Sequence, residues 1–590
     1  MKKKILFLFA ILALLLAACG GEEPPETLPE EGPPPAEAGN PAPPVPDIQA
    51  ARAPDPQAGM PPLEVPAPAP IRPGCGDYRL LVTIETDAVF AGMRVGLPEQ
   101  ALQLGWRLSG PGLAYSDPPI TPYAFFDEDT FLIDANDDRQ ALQARFLLIV
   151  TGVQQGQTLQ LELGQGDPGE NGTRITIANT LDGWENPGPT LFDAQVTEEY
   201  QTAALDLCAA DPMPLPEPAA ALPPRLLAFY YQWWRSEEEF GCGEDPYAWR
   251  RELNGQWLLS TGHTPIFQDG DEVIYRETAC WQQVTDDAGR SGWIYDQQDA
   301  RFVAEQMALA KAYGLDGFAV SVNGDEPREL RFLAEAALPA AQQIGFWVAP
   351  LYEPPNSGWE YDMQADIKKV GTHLRKVLEA VGQHPAALTI SRDGEEQVVI
   401  FVDGVVLQRF PDAESWAAIR AIADQAGVPY FLWSGPGETA WVFESGFEGI
   451  YHDLDVEETQ ESPLGLSPYA LRDRRRLAYR ASAWAARERG LPLALPVVTG
   501  WEGAQVFRTE EYVPLPRDYG APGEYGTYYR VRWEDALEQF PDWIVVTSWN
   551  EWAEGTEIEP SDTYPPSRFD YLQATWAYAC AWRGEKECTP

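Results

Sequence analysis

A cluster of carboxylates follows a short apolar run near the C-terminal end of the chain. The run Trp543–Val546 leads into TSWNEWAEGTEIEPS, residues 547–561, which holds four glutamates and two tryptophans. Glu551 and Glu554 are three residues apart. Where a strand turns into a loop or helix, this offset can bring both side chains to one side of a pocket. Two carboxyl groups that face one substrate can act as acid and as base or nucleophile, which is how glycosidic bonds are broken.

Two neighbouring carboxylates raise each other's proton affinity, so one of them can keep a proton and serve as the acid. The alternative interpretation is an acidic segment that caps a helix expected near Phe569–Cys580. The flanking tryptophans and the position at a strand end favour the catalytic pair.

Eight apolar strand-like runs alternate with amphipathic segments after residue 225. The runs are LLAFYYQWW from 226, DGFAVSV from 316, GFWVAPLY from 345, QVVIFVDG from 397, PYFLWSG from 429, FEGIYHD from 447, LPLALPVVTG from 491 and DWIVVTSW from 542. The helix candidates are Asp299–Tyr313, Glu329–Ile344, Ala365–Val381, Ala413–Ala426, Tyr469–Arg489 and Trp533–Phe540.

Strands that alternate with helices predict a parallel sheet. Eight such units in about 360 residues predict a (β/α)8 TIM barrel with insertions, spanning residues 225–590. The competing fold is a doubly wound open sheet. It would carry a glycine-rich phosphate turn after its first strand, where this chain has AFYYQWWRSEEEF.

The chemistry of a TIM barrel lies at the C-terminal ends of its strands. Aromatic rings there can stack on the apolar faces of sugar rings, while carboxylates and amides hydrogen-bond the hydroxyl groups. Besides Glu551 and Glu554 as the catalytic pair, the residues predicted to bind substrate are Tyr230, Tyr231, Trp233, Tyr352, Asp403, Trp433, Tyr451, Trp501, Asn550 and Trp552.

Other kinds of site are disfavoured by what these strand ends lack. A phosphate site would need glycine turns or cationic side chains, and a dinucleotide site would need its glycine fingerprint. A metal hydrolase would need clustered histidines, whereas the chain has only four histidines in all. We therefore predict neither a metal nor a cofactor.

Residues 74–210 form a second region, rich in short alternating strands separated by Gly, Pro and Asp clusters. This pattern predicts a small β-sandwich-like domain. A role in carbohydrate binding is one interpretation, and a structural role is slightly favoured because no ligand site stands out. The segment DANDDRQ, residues 134–140, is interpreted as a solvated turn, since it lacks the glycine and spacing of a calcium loop. The proline-rich residues 211–224 are predicted to be a linker.

The N-terminal residues predict export. Lys2, Lys3 and Lys4 precede an apolar stretch that ends in Leu16-Ala17-Ala18-Cys19. This pattern is typical of a lipoprotein signal peptide over residues 1–18, with Cys19 as the lipidated residue. The alternative is an ordinary secretory signal. Residues 19–73 are rich in Pro, Glu and Ala and predict a disordered tether. We expect a lipid-anchored protein at the cell surface or in the periplasm.

Charge and cysteine usage agree with this location. The formal net charge of −48 disfavours nucleic acid as a partner. We expect a monomer that meets the membrane only through its lipid. The six cysteines other than Cys19 are disulfide candidates in an oxidising compartment. Sequence position favours the pairs Cys75 with Cys208, Cys242 with Cys280, and Cys580 with Cys588.

Several motifs of the C-terminal region resemble those of a known family. VVTSWNEWAEGTEIEP closely resembles the strand-8 signature of glycoside hydrolase family 99 and of its family 99-like, WbsX-type relatives. AFYYQWW resembles the family's strand-1 motif, and YGLDGFAVSVNG, GQHPA, VVIFVDG and SGFEGIYHD resemble later segments in the same order. The resemblance extends from Arg225 to Arg583.

This resemblance implies a retaining, endo-acting α-glycosidase similar to an α-mannosidase. The residue matching Glu551 would act as base on the 2-hydroxyl of the sugar itself, so that a 1,2-anhydro sugar forms. The residue matching Glu554 would protonate the leaving oxygen and later activate water. Tyr230, Tyr231 and Trp233 would line the cleft. The chain departs from the family's pattern at Ala553, where the mannosidases carry histidine, and at Glu353, which falls later than the corresponding glutamate.

Two competing functions follow from the same sequence. One is a non-catalytic lipoprotein that binds glycans at the cell surface. The other is an envelope polysaccharide-assembly protein, which the export signal disfavours because the nucleotide-sugar donors for assembly are cytoplasmic.

Overall fold

The computed structural model describes residues 76–584 with gaps. The longer gaps are 96–100, 110–122, 154–157, 181–186, 210–221, 235–248, 276–280, 435–445, 452–478, 502–526 and 562–567. The shorter gaps are 128–129, 135, 137, 254–255, 260, 262, 267, 270–271, 298–299, 325, 356, 361, 383, 393, 411–412, 480–481, 484 and 488.

The N-terminal region consists of two antiparallel sheets of five strands each. Their strands are β1 (Gly76–Thr86), β2 (Phe90–Val95), β3 (Ala101–Ser109), β4 (Tyr123–Asp127), β5 (Thr130–Asp134), β6 (Leu142–Val153), β7 (Leu159–Gly166), β8 (Thr173–Thr180), β9 (Pro187–Val196) and β10 (Tyr200–Leu205). One sheet has the order β3-β6-β1-β8-β9 and the other β10-β7-β2-β5-β4. Alternate residues of both sheets, such as Val82 and Leu161, bury one shared core.

Eight parallel strands close the second region into a barrel. Between the first and second barrel strands lies an insertion with six short strands. The strands of this region are β11 (Arg225–Tyr230), β12 (Arg250–Leu253), β13 (Gln256–Leu259), β14 (Gln268–Asp269), β15 (Glu272–Val273), β16 (Gln282–Thr285), β17 (Ser291–Ile294), β18 (Gly317–Val322), β19 (Trp347–Tyr352), β20 (Thr389–Arg392), β21 (Glu395–Val402), β22 (Tyr430–Ser434), β23 (Gly449–Tyr451), β24 (Leu493–Val498) and β25 (Trp543–Thr547).

Closure of the barrel rests on two pairings. β11 pairs with β25, and β19 pairs with β21, so the parallel order is β11-β18-β19-β21-β22-β23-β24-β25 and back to β11. β20 is antiparallel to β21 and forms a hairpin with it outside this ring. The (β/α)8 TIM barrel and the preceding all-β region that the sequence predicts are therefore both confirmed.

Helices pack around the strands. They are α1 (Ala300–Ala312), α2 (Pro327–Arg331), a π-helical stretch (Phe332–Ala337), α3 (Leu338–Ile344), α4 (Met363–Val381), α5 (Gly404–Arg409), α6 (Ala413–Ala423), α7 (Thr527–Leu537) and α8 (Asp570–Arg583). Two short 3-10 helices are also described, Leu207–Ala209 before the barrel and Asp424–Ala426 after α6. The described part of the chain contains no helix that is both long and apolar enough to cross a membrane.

Most predicted helices lie where the sequence places them, with two differences. α7 begins at Thr527, six residues before the predicted start, and α5 was not predicted. α5 begins directly after Asp403, whose carboxylate accepts a hydrogen bond from the Val405 N–H at 2.8 Å and caps the helix. Most of the predicted helix Tyr469–Arg489 lies outside the described residues.

Large aromatic side chains fill the inside of the barrel. Phe401 stacks on Trp433 with ring centroids 5.9 Å apart, and Trp433 lies 4.9 Å from Trp543. Gly449 on the neighbouring strand makes room for this packing, because a Cβ there would lie 2.6 Å from the Trp433 ring. The interior is thus a packed core, and chemistry is confined to its ends.

Several predictions concern residues outside the described ranges. The signal peptide, Cys19 and the tether over residues 19–73 belong to this group, so the lipid anchor stays a prediction. Cys208 and Cys580 are described, but Cys75, Cys242, Cys280 and Cys588 are not. Cys208 and Cys580 are each disulfide-bonded, and because their predicted partners lie outside the described part of the chain, the three predicted pairings stay predictions.

Candidate active site

The alternation of side chains along each strand decides which strand-end residues reach the mouth of the barrel. Leu227 and Phe229 of β11 face the barrel interior, and Tyr231 continues this row. On β19 the inward row is Ala349 and Leu351, which Glu353 continues. By the same alternation Ser321 follows Ala319, and Asp403 follows Phe401. Tyr231, Ser321, Glu353 and Asp403 therefore form the upper layer of the barrel.

The segment after β25 is bound to the end of β11 by Asn550. Its side-chain oxygen accepts a hydrogen bond from the Tyr231 N–H at 2.8 Å, and its amide donates to the Tyr231 carbonyl at 2.9 Å. The Trp549 N–H donates to the Phe229 carbonyl at 2.8 Å. Asn550 is fully buried and extends the β11–β25 pairing beyond the last strand residue. The structure thus gives Asn550 a positioning contact with the backbone of Tyr231.

Residues 548–559 form a closed turn that carries both predicted catalytic glutamates. The Ser548 N–H donates to the Thr556 carbonyl at 2.7 Å, and the Ile558 N–H donates to the Ser548 carbonyl at 2.9 Å. Inside the turn, the Glu551 N–H donates to Ser548 Oγ at 2.7 Å. Gly555 completes the turn with a φ of +66°, which a glycine adopts without strain. This local geometry holds Glu551 and Glu554 on one rigid segment.

Glu551 is a buried carboxylate with few hydrogen-bond donors. Only 3% of the residue is exposed. Its Oε1 accepts one hydrogen bond, from the Ala553 N–H at 3.2 Å, and its Oε2 accepts none within the described part of the chain. Burial, followed by the charges of Glu554 and Glu353, raises the pKa of the Glu551 carboxyl well above its ordinary value.

Glu353 and Asp403 enlarge the carboxylate cluster. The Ser321 hydroxyl donates to Glu353 Oε2, and the Ser321 carbonyl accepts from Gln232 Nε2 at 2.7 Å. Burial and the charge of Asp403 raise the pKa of Glu353 well above its ordinary value, and Glu554 adds to this effect. Glu554, which is half-buried, therefore acts electrostatically on both Glu551 and Glu353.

Glu559 lies in the same segment but in a different environment. Its carboxylate is fully buried and accepts hydrogen bonds from Tyr275 at 2.6 Å, Gln306 at 2.7 Å and Tyr295 at 2.7 Å. Burial outweighs these donors and raises the pKa of Glu559 to about 7. The network joins the insertion and α1 to the turn that holds the catalytic candidates.

The insertion between β11 and β18 supports the turn at three further places. His263 Nδ1 lies 3.1 Å from Glu557 Oε1, and the Ile266 N–H donates to the Pro560 carbonyl at 3.2 Å. Trp552 donates through Nε1 to the Tyr295 hydroxyl at 2.9 Å. The acidic run that follows Glu554 is therefore bound into the protein rather than exposed to solvent.

The structure brings some predicted substrate-binding residues together at the mouth. Tyr231 and Trp233 are both half-buried, and their ring centroids lie 4.7 Å apart. Asp403 is half-buried above β21. These three residues share the upper end of the barrel with Glu551, Glu554 and Glu353.

The structure places the remaining predicted residues in packed interiors. Tyr230 and Tyr352 point from their strands into the helix layer, and the Tyr230 hydroxyl donates to Gln306 Oε1 at 2.6 Å. The other fully or almost fully buried members are Trp433 and Tyr451 inside the barrel, Trp552 beside Trp249, and Trp501 after β24.

Five polar residues at this site were not among the predicted ones. Glu353 and Ser321 could have been found by counting alternate positions from the barrel-interior residues upward. Gln232 also lies in the strand-1 run, next to Tyr231. The support of Glu559 by Gln306 carries no local sequence signal, because the two residues are 253 positions apart.

Within the described ranges, no group of three or more His, Cys, Asp or Glu side chains is placed to hold a metal ion.

No family model matches the chain, and no curated protein matches it. Among solved structures, the chain is similar to a GH99 endo-alpha-mannosidase from Bacteroides thetaiotaomicron at 16% identity and a TM-score of 0.42, over 62% of this chain and 98% of that chain. It is similar to a glycoside hydrolase-like protein at 12% identity and a TM-score of 0.38, over 62% and 95%. A β-glucuronidase from Ruminococcus gnavus follows at 10% identity and a TM-score of 0.29, over 86% and 89%. At these identities and TM-scores the likenesses carry no argument about activity.

Proposed function

We propose that this protein is a glycoside hydrolase that cleaves a polysaccharide or glycan at the mouth of its barrel. The observation that carries the proposal is the environment of Glu551. It is a buried carboxylate, one oxygen of which has no hydrogen-bond partner among the described residues. It lies on a hydrogen-bonded turn at the end of a barrel strand and is repelled by Glu554 and Glu353. A protein tolerates such a destabilised group where its chemistry is used.

We further propose an endo-acting, retaining attack on an α-glycoside similar to an α-mannoside, with Glu551 as base and Glu554 as acid. Glu551 takes the proton of the sugar 2-hydroxyl, whose oxygen attacks the anomeric carbon. Glu554 gives a proton to the leaving oxygen as the glycosidic bond breaks. Glu554 then takes a proton from water, which opens the 1,2-anhydro ring, and Glu551 returns its proton to the 2-oxygen. To act as this base Glu551 must first lose its proton, and its raised pKa makes it a stronger proton acceptor once it is ionised.

The hydroxyls and ring faces of the sugar need partners around this pair. Tyr231 and Trp233 offer two neighbouring rings for stacking, and Asp403 and Glu353 offer oxygens for hydrogen bonds. We leave the fully buried aromatic residues out of this proposed site.

The test is a turnover assay of the purified chain on α-mannans and α-glucans. Glu551→Gln and Glu554→Gln are each expected to lower turnover at least ~100-fold, because each removes a general acid or base. A glycosyl fluoride substrate separates the two roles, since its leaving group needs no proton. Glu554→Gln should release fluoride in the first turnover at a rate near that of the wild type, although ring opening by water stays slow, and Glu551→Gln should release none. The matched control is Glu335→Gln, an exposed glutamate on the π-helical stretch. Full activity of either catalytic variant on the polymer would contradict the proposal.

We also propose, on the sequence pattern alone, that the enzyme is exported and anchored by a lipid on Cys19. Incorporation of a labelled fatty acid into the wild type but not into Cys19→Ser would support the anchor. Equal labelling of both proteins would refute it.

A further inference from the structure

On the outer face of the sheet β10-β7-β2-β5-β4, glycines lie beside two aromatic residues. We call this surface, formed by Phe90, Tyr200, Gly92, Gly164 and Gly166, the strip. Across the sheet, Tyr200 of β10 is opposite Gly164 of β7, which is opposite Gly92 of β2, which is opposite Leu132 of β5. Two central positions of the strip therefore have no side chain of their own, and the Leu132 side chain leans over Gly92, where a Cβ would lie 3.2 Å from Leu132 Cδ1. The outward-facing residues on either side, by contrast, are ordinary polar ones such as Glu162 and Arg94.

Two aromatic rings lie on this strip. Phe90 is opposite Gly166. A Cβ on Gly166 would lie 2.9 Å from Phe90 Cδ1, and a Cβ on Gly164 would lie 3.9 Å from Phe90 Cζ. The glycines thus allow the Phe90 ring to lie down against the sheet. Phe90 remains 37% exposed and Tyr200 56% exposed. Only four large apolar side chains of the described chain are exposed, and two of them are on this one face.

The rim of the strip is polar, and its charges cancel. Tyr200 lies close to Glu162, and burial followed by this carboxylate raises the pKa of the Tyr200 hydroxyl above its ordinary value. Glu162 also lies 3.9 Å from Arg94. With about 4.8 Å between strands and about 6.6 Å between alternate residues, the two aromatic positions are about 12 Å apart. The Phe90 ring reaches over Gly166 toward Gly164, which is opposite Tyr200, so the two side chains form one continuous apolar surface on which sugar rings can stack.

We propose that this strip, defined by Phe90, Tyr200, Gly164, Gly166 and Gly92, binds an uncharged polysaccharide chain. Sugar rings stack their apolar faces on the two aromatic side chains, and their hydroxyl groups hydrogen-bond the Glu162–Arg94 rim. The face fits this ligand better than a protein, because two partly exposed rings fall far short of the apolar core of a stable protein interface. A polyanion is disfavoured by the overall charge of −48.

The test is affinity electrophoresis of the full chain in native gels that contain soluble α-mannan or dextran. All chains carry Glu554→Gln so that the polymer stays intact. Tyr200→Ala and Phe90→Ala are each expected to weaken binding about 5-fold, the loss of one stacked ring, and the double variant about 25-fold. Phe540→Ala is the matched control, because Phe540 is 62% exposed and lies outside the strip. Tyr200→Ala changes a mostly exposed side chain, so its effect is separable from misfolding.

Two results would overturn the inference. One is equal retardation of Tyr200→Ala, Phe90→Ala and the Phe540→Ala control. The other is the absence of retardation of the parent chain by either polymer. Hydrolysis is measured separately, in the wild-type background, with a short soluble α-glycoside. A chain that binds polymer through the strip but cleaves nothing would contradict only the proposed activity, and the reverse result would contradict only this inference.

Discussion

Two buried carboxylates, one in each region of the protein, have opposite environments. Asp87 in the N-terminal sheets accepts hydrogen bonds from the backbone N–H groups of Gly169, Asn171 and Gly172, at 3.1, 2.8 and 2.7 Å. Burial raises its pKa, but these donors outweigh burial and lower the pKa of Asp87 below its ordinary value. Glu551 in the barrel has a single backbone donor and several acidic neighbours, and its pKa is raised.

The difference teaches how to separate a structural carboxylate from a functional one. Asp87 closes a loop by collecting the N–H groups that the loop leaves unpaired, so its charge stabilises the fold. Glu551 is held in place by its backbone while its carboxyl group is left short of donors. The first arrangement contributes stability, and the second lowers it, as expected for the catalytic role that we propose for Glu551.

The largest expected effect on stability belongs to Asp87. Asp87→Ala would leave three N–H groups without their acceptor, so the free energy of unfolding should fall by about 4 kcal/mol. Urea denaturation of the full chain, followed at the transition of the N-terminal region, measures this change. Asp193→Ala, which removes an exposed ion pair with Arg174 in the same region, is the control and should have little effect. Equal stability of both variants would contradict the structural role that the comparison assigns to Asp87.

Glu559 allows a test of pH dependence. Its pKa rises from the ordinary 4.5 to about 7 on folding. The folded state therefore binds the proton more tightly, and the stability contributed by this group is present below pH 4.5 and is lost as the pH rises to about 7. The change amounts to at most about 3 kcal/mol. The difference in unfolding free energy between the wild type and Glu559→Gln should fall across this window.

A second variant sharpens the Glu559 test. Tyr275→Phe removes one donor to the carboxylate, so the upper edge of the window should move to higher pH. If the difference in unfolding free energy does not change between pH 4.5 and 7, the pKa of Glu559 does not rise on folding.

The sequence was sufficient for the fold because most barrel strands are apolar runs bounded by clear breaks, as in LLAFYYQWW and DWIVVTSW. The acid pair was visible for the same reason, since it follows the last run directly. The choice of aromatic residues was less accurate. Tyr230 and Tyr352 are next to Tyr231 and Glu353 in sequence, but strand alternation turns them into the helix layer.

Other features depend on contacts that only the folded chain makes. Gln306 and Glu559 meet across 253 residues, and the strip depends on glycines from two strands that are neighbours only in the sheet. Neither arrangement has a local pattern that single-sequence reasoning could detect.

The central claim is that Glu551 is kept for chemistry and not for folding. It is tested most directly by measuring turnover and thermal stability on one preparation of Glu551→Gln at pH 8. Removing a buried carboxyl that repels its neighbours should leave the melting temperature equal to that of the wild type or higher. The corresponding gain in the free energy of unfolding is at most about 1 kcal/mol, while turnover falls at least ~100-fold. Turnover that survives the substitution, or a loss of stability large enough to account for lost turnover, would contradict the claim.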